Sequence, residues 1–318
     1  MLPCWCMKIA VMGTGAVGGY FGGRLAQAGE EVVFVARGAN LRALQESGLR
    51  VDSINGDFLI RDAHASDDPS KIGKVDYVIV GVKTWQVAEA AEAIRPLIGP
   101  NTCVLPLQNG VEAADQLASA LGAQHVIGRL CQLVAFVVEP GHIRHAAFDP
   151  LIAFGELDNR KSERVEKLRQ AFERVAVRAQ IPDDIHVAIW AKFLFIAPYS
   201  GVGSVTRAPI GPVRSLPGTR DMLIKAMHEI LALAHARGVA LPEEAVTKSL
   251  ANIDSLPAEA TGSMQRDVLA GRPSELEAQN GAVVRLGREL GIATPVNEFI
   301  YNSLLPQEMQ ARSMASSG

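Results

Sequence analysis

In the first half of the chain, short apolar runs stopped by turn residues alternate with stretches of helical periodicity. Lys8-Ile-Ala-Val-Met12, Glu31-Val-Val-Phe-Val35, Asp76-Tyr-Val-Ile-Val80 and Thr102-Cys-Val-Leu-Pro-Leu107 have the length and composition of buried strands. Residues 17–28, 84–95 and 111–121 follow three of them as helices, the first ending near Gly29 and the second before Pro96. This alternation predicts a parallel sheet covered on both faces. Residues 126–156 have a strand texture instead: Leu133 to Val138, a turn at Pro140-Gly141, Ile143 to His145, then Leu151 to Phe154.

The pattern changes at about residue 162. Val165, Leu168, Phe172 and Val175 mark one face of a helix over 162–179. Ile181-Pro182-Asp183-Asp184 then interrupts the chain, and helices are predicted over 184–200, 219–237, 243–255, 261–270, 274–290 and 295–304. Gly238 and Gly291 stand where helix C-termini are expected, and Thr294-Pro295 places a capping residue before a helix-starting proline. The fold class is α/β: a parallel-sheet domain over 1–182 followed by an all-helical domain over 183–318. Ser313 to Gly318 are expected to fray.

At 318 residues the length fits two domains, and 48% hydrophobic with 20% charged residues is ordinary globular composition. The net charge of −3 gives no general attraction to nucleic acid or an anionic membrane, so neither is expected as a partner. The apolar stretch Phe193 to Val205 is interrupted by Pro198 and falls short of the ~20 residues a membrane span needs. Cys4, Cys6, Cys103 and Cys131 form no CxxC pair, and Met1 to Cys6 has neither a basic start nor a long apolar core. Reduced thiols, a cytoplasmic location and a non-structural segment over 1–6 are the expectations. His142 and His145 have no third ligand in view, and no metal signature stands out among the seven histidines.

The strongest chemical signal is Gly13-Thr14-Gly15-Ala16-Val17-Gly18, set between a predicted strand and a predicted helix. Gly13 permits the turn, Gly15 lets backbone approach a pyrophosphate, and Gly18 lets helix and strand pack closely. The helix N-terminus adds N–H donors and a partial positive charge. A nicotinamide dinucleotide is the implied ligand. The second strand does not end in the acid that would bind ribose hydroxyls; it ends Val35-Ala36-Arg37. A guanidinium there suits a 2′-phosphate and favours NADPH. Two further loops, Gly81-Val-Lys83-Thr-Trp85 and Leu107-Gln-Asn109-Gly110, follow the third and fourth strands. By themselves they are equally ordinary turns.

Taken together, Met7-Lys-Ile-Ala-Val-Met-Gly-Thr-Gly-Ala-Val-Gly-Gly, Val82-Lys-Thr-Trp-Gln-Val87, Gln108-Asn-Gly-Val111, Glu139-Pro-Gly-His142, Trp190-Ala-Lys192, Ser263-Met-Gln-Arg-Asp267 and Glu275 resemble the ketopantoate reductase (2-dehydropantoate 2-reductase) family over nearly the whole chain. The resemblance implies a Rossmann domain, a helical domain, substrate in the cleft between them, and NADPH-dependent reduction of a 2-oxo acid to a 2-hydroxy acid. It places the catalytic lysine at Lys192 and the substrate-orienting glutamate at Glu275. It makes Ser263 a substrate-binding residue and puts Lys83 and Asn109 beside the nicotinamide and substrate. A small 2-oxo acid is the expected partner, and a homodimer the candidate assembly.

The chemistry of these residue types agrees with those roles. An ammonium beside a ketone oxygen stabilises the charge that hydride addition creates and supplies a proton. Each residue also has a plain structural reading: Lys192 could snorkel from a packed helix. Ser274-Glu-Leu-Glu277 could be a capping box that places Glu275 in a first helical turn. Ser263 could cap the next helix. One departure bears on the substrate. The family usually carries asparagine at the positions of Ile196 and Ser200, on the same helix face as Lys192. Ser200 keeps a hydrogen-bonding group, whereas Ile196 leaves a substrate hydroxyl unpartnered, at a cost of about 1–3 kcal/mol. The acceptor is ketopantoate or a more apolar 2-oxo acid, and an NADPH-binding sensor without turnover is the non-enzymatic alternative.

Overall fold

The computed structural model describes residues 6–316; Cys4, most of the 1–6 segment, Ser317 and Gly318 lie outside the described residues. The chain divides into two units, one formed by residues up to 108 with 113–185, the other by 109–112 with 186 onward.

The first unit contains β1 (Lys8–Met12), α1 (Ala16–Gln27), β2 (Glu31–Val35), α2 (Gly38–Ser47), β3 (Leu49–Ser53), β4 (Phe58–Ile60), β5 (His64–Ser66), β6 (Tyr77–Val80), α3 (Val87–Ile94), β7 (Cys103–Pro106), α4 (Ala113–Leu121), β8 (Ile127–Glu139), β9 (His142–Glu156), α5 (Glu163–Glu173) and β10 (Arg178–Gln180). Five parallel strands make one sheet in the order β5-β2-β1-β6-β7. Alternate side chains along each strand enter opposite layers, as the two-residue period of a strand requires. Ile9 and Val11 join Tyr20, Phe21 and Leu25 of α1 and Leu168 and Phe172 of α5. Ala10 and Met12 join Val87, Ala90 and Ile94 of α3 and Leu117 of α4. The predicted parallel sheet with helices on both faces is present.

The remaining strands build a second sheet, ordered β10-β9-β3-β4, with β8 antiparallel to β9. Its residues Leu49, Val51, Ile143, Ile152 and Phe154 share the core of α1. Sequence pattern leaves α2 and β3 to β5 unassigned; β4 and β5 are only three residues long, too short to show a period. The helix predicted over 162–179 stops at Glu173; Ala176 takes a left-handed φ of +54° and Arg178–Gln180 pairs parallel with β9.

The second unit is helical: α6 (Ile185–Thr206), α7 (Ile210–Ser215), α8 (Pro217–Ala236), α9 (Glu244–Ser255), α10 (Ser263–Leu269), α11 (Asn280–Leu290) and α12 (Pro295–Ser316). Its core gathers Phe193, Leu194, Ala197 and Val202 of α6 with Leu223, Met227 and Ile230 of α8, Val283 of α11 and Ile300 of α12. α6 extends beyond the 184–200 that the pattern predicts. The helix runs on through Pro198 over 22 residues, since burial of these side chains outweighs the roughly 3 kcal/mol cost of an interior proline. It is long and apolar enough to cross a membrane by length and composition, and 56% of its most apolar stretch is buried within the protein. Likewise α12 continues through Pro306 to Ser316, so Ser313 to Ser316 are helical rather than frayed.

Two other corrections reach the site. The boundary expected after Pro182 falls after Ile185, and residues 109–112, expected in the first domain, belong to the second unit. The helix expected from Ser274 begins only at Asn280. The Ser274 N–H and hydroxyl both donate to the Glu308 carboxylate of α12, the hydroxyl at 2.6 Å, while Ser274 Oγ accepts the Leu276 N–H at 3.2 Å. Glu277 pairs elsewhere, so no reciprocal capping box forms and residues 275–279 make a turn.

Candidate functional site

In the first unit the glycine-rich segment leaves β1 and opens α1 without forming any regular structure of its own. Gly13 has φ +95°, and a Cβ there would stand 2.7 Å from the Val82 backbone nitrogen. A Cβ at Gly18 would stand 2.2 Å from the Gly13 carbonyl oxygen, so α1 meets the end of β1 only because Gly18 has no side chain. Gly15 is different: it is the N-cap of α1, and a Cβ there would meet nothing within 4 Å. The first turn carries no acidic residue, leaving the positive end of the helix unopposed. Open space over a helix N-terminus fits a dinucleotide pyrophosphate. Ala16 and Val17, beside that space, are partly buried. Thr14 is buried; its hydroxyl donates to the Val35 carbonyl, and its own carbonyl accepts from Asn40 Nδ2 at 3.0 Å. Asn40 Oδ1 accepts the Gly141 N–H at 2.9 Å, so this unpredicted residue ties the glycine turn to the β8–β9 hairpin.

Arg37 follows β2 and is the N-cap of α2. Its guanidinium is exposed and donates to Glu89 at 3.0 Å, on a carboxylate that is itself 61% exposed. Lys83 is exposed too, its ammonium 5.9 Å from the Trp85 ring centre. His142 faces Asp52 at 2.8 Å and His145 faces Ser53 at 2.9 Å. Among the described residues, no group of three His, Cys, Asp or Glu side chains is arranged to hold a metal. Cys6, Cys103 and Cys131 form no disulfide; burial pushes the Cys103 thiol up to about 12.

The second unit brings three predicted residues into one chain of hydrogen bonds. Lys192 Nζ donates to Asn109 Oδ1 at 2.8 Å, and Asn109 Nδ2 donates to Glu275 Oε2 at 2.9 Å. An ammonium only donates and a carboxylate only accepts, so these partners determine which way the Asn109 amide faces. All three side chains are partly buried, within reach of a small molecule. Gln279 Nε2 approaches the same Glu275 oxygen at 3.4 Å.

Residues 109–112 have no strand or helix to hold them. Gly110 has φ +96°, with the Ala278 carbonyl 2.6 Å from where its Cβ would be, so this position tolerates no side chain. Val111 packs against the helical core. Glu112 accepts from Arg285 NH2 at 2.8 Å, and the same guanidinium donates through NH1 to Glu277 at 2.8 Å. Tyr301 also donates to Glu277, at 2.6 Å; burial first, then that carboxylate, push its phenol up to about 12. Nothing in the sequence pattern singles out Glu112, Arg285 or Tyr301, and it marks Glu277 only as a helix cap, since their meaning is a set of pairings.

The other predicted residues stand apart from this chain of bonds. Ser263 is exposed in the first turn of α10, where Gly262 rather than Ser263 is the N-cap. Ile196 is partly buried and packs against the helical core. Ser200 is fully buried, its hydroxyl has no protein partner, and a Cβ at Gly262 would stand 2.5 Å from it.

Models of two families cover most of the chain: "Ketopantoate reductase PanE/ApbA" matches residues 9–159 and "Ketopantoate reductase PanE/ApbA C terminal" matches residues 184–308. The chain belongs to the ketopantoate reductase family. A 2-dehydropantoate 2-reductase from Mesorhizobium japonicum is 30% identical over 315 residues, covering 92% of this chain and 95% of that protein. An uncharacterized oxidoreductase of Bacillus subtilis, YkpB, is 29% identical over 96% of this chain and 100% of its own length. The crystal structure of 2-dehydropantoate 2-reductase from Geobacter metallireducens superposes with a TM-score of 0.87 at 33% identity, covering 94% of this chain and 99% of that one. This ketopantoate reductase family member is an oxidoreductase with the Rossmann-type parallel sheet and helical region of its relatives.

Proposed function

We propose that the protein reduces a small 2-oxo acid to the 2-hydroxy acid with NADPH, Lys192 acting as general acid. The observation that carries this reading is the Lys192–Asn109–Glu275 chain, which presents an ammonium and a carboxylate on either side of one amide. Gly13, Thr14, Gly15, Ala16, Val17 and Gly18 would hold the pyrophosphate, Arg37 would meet the 2′-phosphate, and Lys83 and Asn109 would lie beside the nicotinamide. When bound, the nicotinamide supplies the hydride. As a ketone carbon is reduced, its oxygen gains negative charge; the Lys192 ammonium hydrogen-bonds that oxygen and delivers the proton. Asn109 restrains the lysine, which limits the orientational entropy lost on reaching the transition state. Glu275 accepts a hydroxyl or a water-mediated contact from the substrate, and Ser263 contributes its exposed hydroxyl.

The leading substrate is 2-dehydropantoate, which would place the enzyme in pantothenate biosynthesis. Ile196 and Ser200 favour a second reading, a more apolar 2-oxo acid: one presents methyl groups, and the other is buried. The protein's partner is then a small metabolite rather than nucleic acid or a membrane, its setting the cytoplasm, and a homodimer its candidate assembly.

Turnover with NADPH on a panel of 2-oxo acids tests the proposal. Reduction of at least one is expected, and NADPH binding without reduction of any would leave a sensor instead. Within the panel, Ile196→Asn should shift the ratio of kcat/KM for 2-dehydropantoate over 2-oxoisovalerate toward 2-dehydropantoate. The shift should be about tenfold, the size of one net hydrogen bond. An unchanged ratio would make Ile196 a core residue only.

A further inference from the structure

We propose that Arg285 is a positioning residue for the reaction, acting through Asn109. The inference rests on the reductase reading above. One guanidinium spans the two irregular segments that carry Asn109 and Glu275. NH2 donates to Glu112 Oε2 at 2.8 Å and to the Glu277 carbonyl at 2.7 Å, while NH1 donates to Glu277 Oε2 at 2.8 Å. Glu112 lies three residues after Asn109 and Glu277 two residues after Glu275, so each tie is within about 11 Å of chain of the residue it steadies.

Neither segment has a ladder of its own. Residues 109–112 are bends and 275–279 are turns, so backbone pairing does not set their separation. Packing of Gly110 on the Ala278 carbonyl brings them close without fixing the rotation of the Asn109 side chain. The planar fork of an arginine holds two acceptors in a defined relation, which a lysine ammonium does not. Tyr301 adds a bond to the other Glu277 oxygen and keeps that carboxylate turned toward the arginine. Loss of the fork frees the Asn109 segment to shift relative to Glu275, and displacement by an ångström is enough to cost on the order of 100-fold in rate.

The test combines Arg285→Ala and Arg285→Lys with Asn109→Ala in a double-mutant cycle, together with hydrogen exchange of peptides covering 107–113 and 273–280. Arg285→Ala should lower kcat by roughly 10- to 100-fold with little change in KM, Arg285→Lys should recover only part of it, and exchange in both peptides should quicken about tenfold or more. NADPH affinity should stay within about twofold. In the Asn109→Ala background the added Arg285→Ala should change kcat less than about twofold, because its route to the chemistry is already gone. If the two losses multiply, or if exchange at 107–113 is unchanged, Arg285 only supports the fold and the proposal is overturned. Should Arg285→Ala fail to fold, Glu112→Gln removes the charge at one end of the tie, and the same cycle applies. Absence of turnover by the unaltered enzyme would defeat the reductase reading, whereas the exchange arm would still report whether Arg285 ties these segments.

Discussion

The glycine turn of the first unit and the lysine–asparagine–glutamate chain of the second achieve order by opposite routes. In the turn, residues close in sequence answer one another: Gly18 fits because Gly13 leaves its carbonyl 2.2 Å from the missing Cβ. In the chain, Asn109 reaches Lys192 across 83 positions and Glu275 across 166. The turn is shaped mainly where β1 meets α1, with the Val35 carbonyl, Asn40 and the Val82 backbone closing on it. The chain is correct only when α6, the 109–112 segment and the 275–279 turn have all been placed. Its accuracy therefore depends on supports that never touch a substrate, of which the Arg285 fork binds both irregular segments.

The sharpest way to break the comparison is Lys192→Ala. Turnover should fall by ~10²–10⁴-fold, while NADPH affinity, proposed to rest on the glycine turn, should stay within about twofold. Steady-state kinetics and fluorescence titration of NADPH check both halves. A variant retaining more than about a tenth of the turnover would return Lys192 to a packing role, and the second unit would lose its chemistry.

The next test stays inside the turn and separates packing from binding. Gly18→Ala places a methyl group 2.2 Å from a backbone oxygen that has nowhere to move, so stability should drop by about 1–3 kcal/mol. Gly15→Ala meets nothing within 4 Å. It should lose only a few tenths to about 1 kcal/mol as a poorer N-cap, yet weaken NADPH by roughly tenfold by filling space the phosphate needs. Denaturant melts and cofactor titrations on both variants give the result. If Gly15→Ala bound NADPH normally, the open space above α1 would not be the phosphate site.

These two regions were unequally legible in the sequence. The turn was readable because its spacing and its strand-helix setting are local, and Lys8–Met12 and Glu31–Val35 stand where pattern placed them. Lys192, Asn109 and Glu275 were nameable through resemblance, but their mutual bonding was not, since nothing near Asn109 announces a partner 166 positions away. Ser274 shows why even local signals mislead. Its sequence spells a capping box, yet Glu308 captures its N–H and hydroxyl, and a buried charge-assisted pair outweighs a cap worth about 1 kcal/mol. The short strands were hidden for a different reason: β4 and β5 are three residues each, and only pairing with β3 and β2 makes them strands.

A smaller effect concerns the cation beside the turn. Arg37→Ala should weaken NADPH by about 1.5 kcal/mol, the low end for a charge-assisted hydrogen bond because the guanidinium is exposed, and leave NADH unchanged. Equal affinity of the unaltered enzyme for the two cofactors would remove the 2′-phosphate from the argument.

The smallest effect refines the same point. Arg37 is not idle: it donates to Glu89 at 3.0 Å, with both side chains more than 60% exposed. A pair this exposed is worth about 0–1 kcal/mol, so a 2′-phosphate can displace it, but only after giving up that amount and meeting the Glu89 charge nearby. Glu89→Gln removes the competing charge and should tighten NADPH by roughly two- to fivefold, with NADH unaffected because it brings no phosphate to that position. The gain should fade as salt rises from about 0.05 to 0.5 M, since screening weakens the original repulsion and the original pair alike. Cofactor titrations at the two ionic strengths measure it. Tightening of both cofactors equally would mean that Glu89 repels the pyrophosphate rather than the 2′-phosphate, and Arg37 would then serve the common part of the cofactor and confer no preference for NADPH.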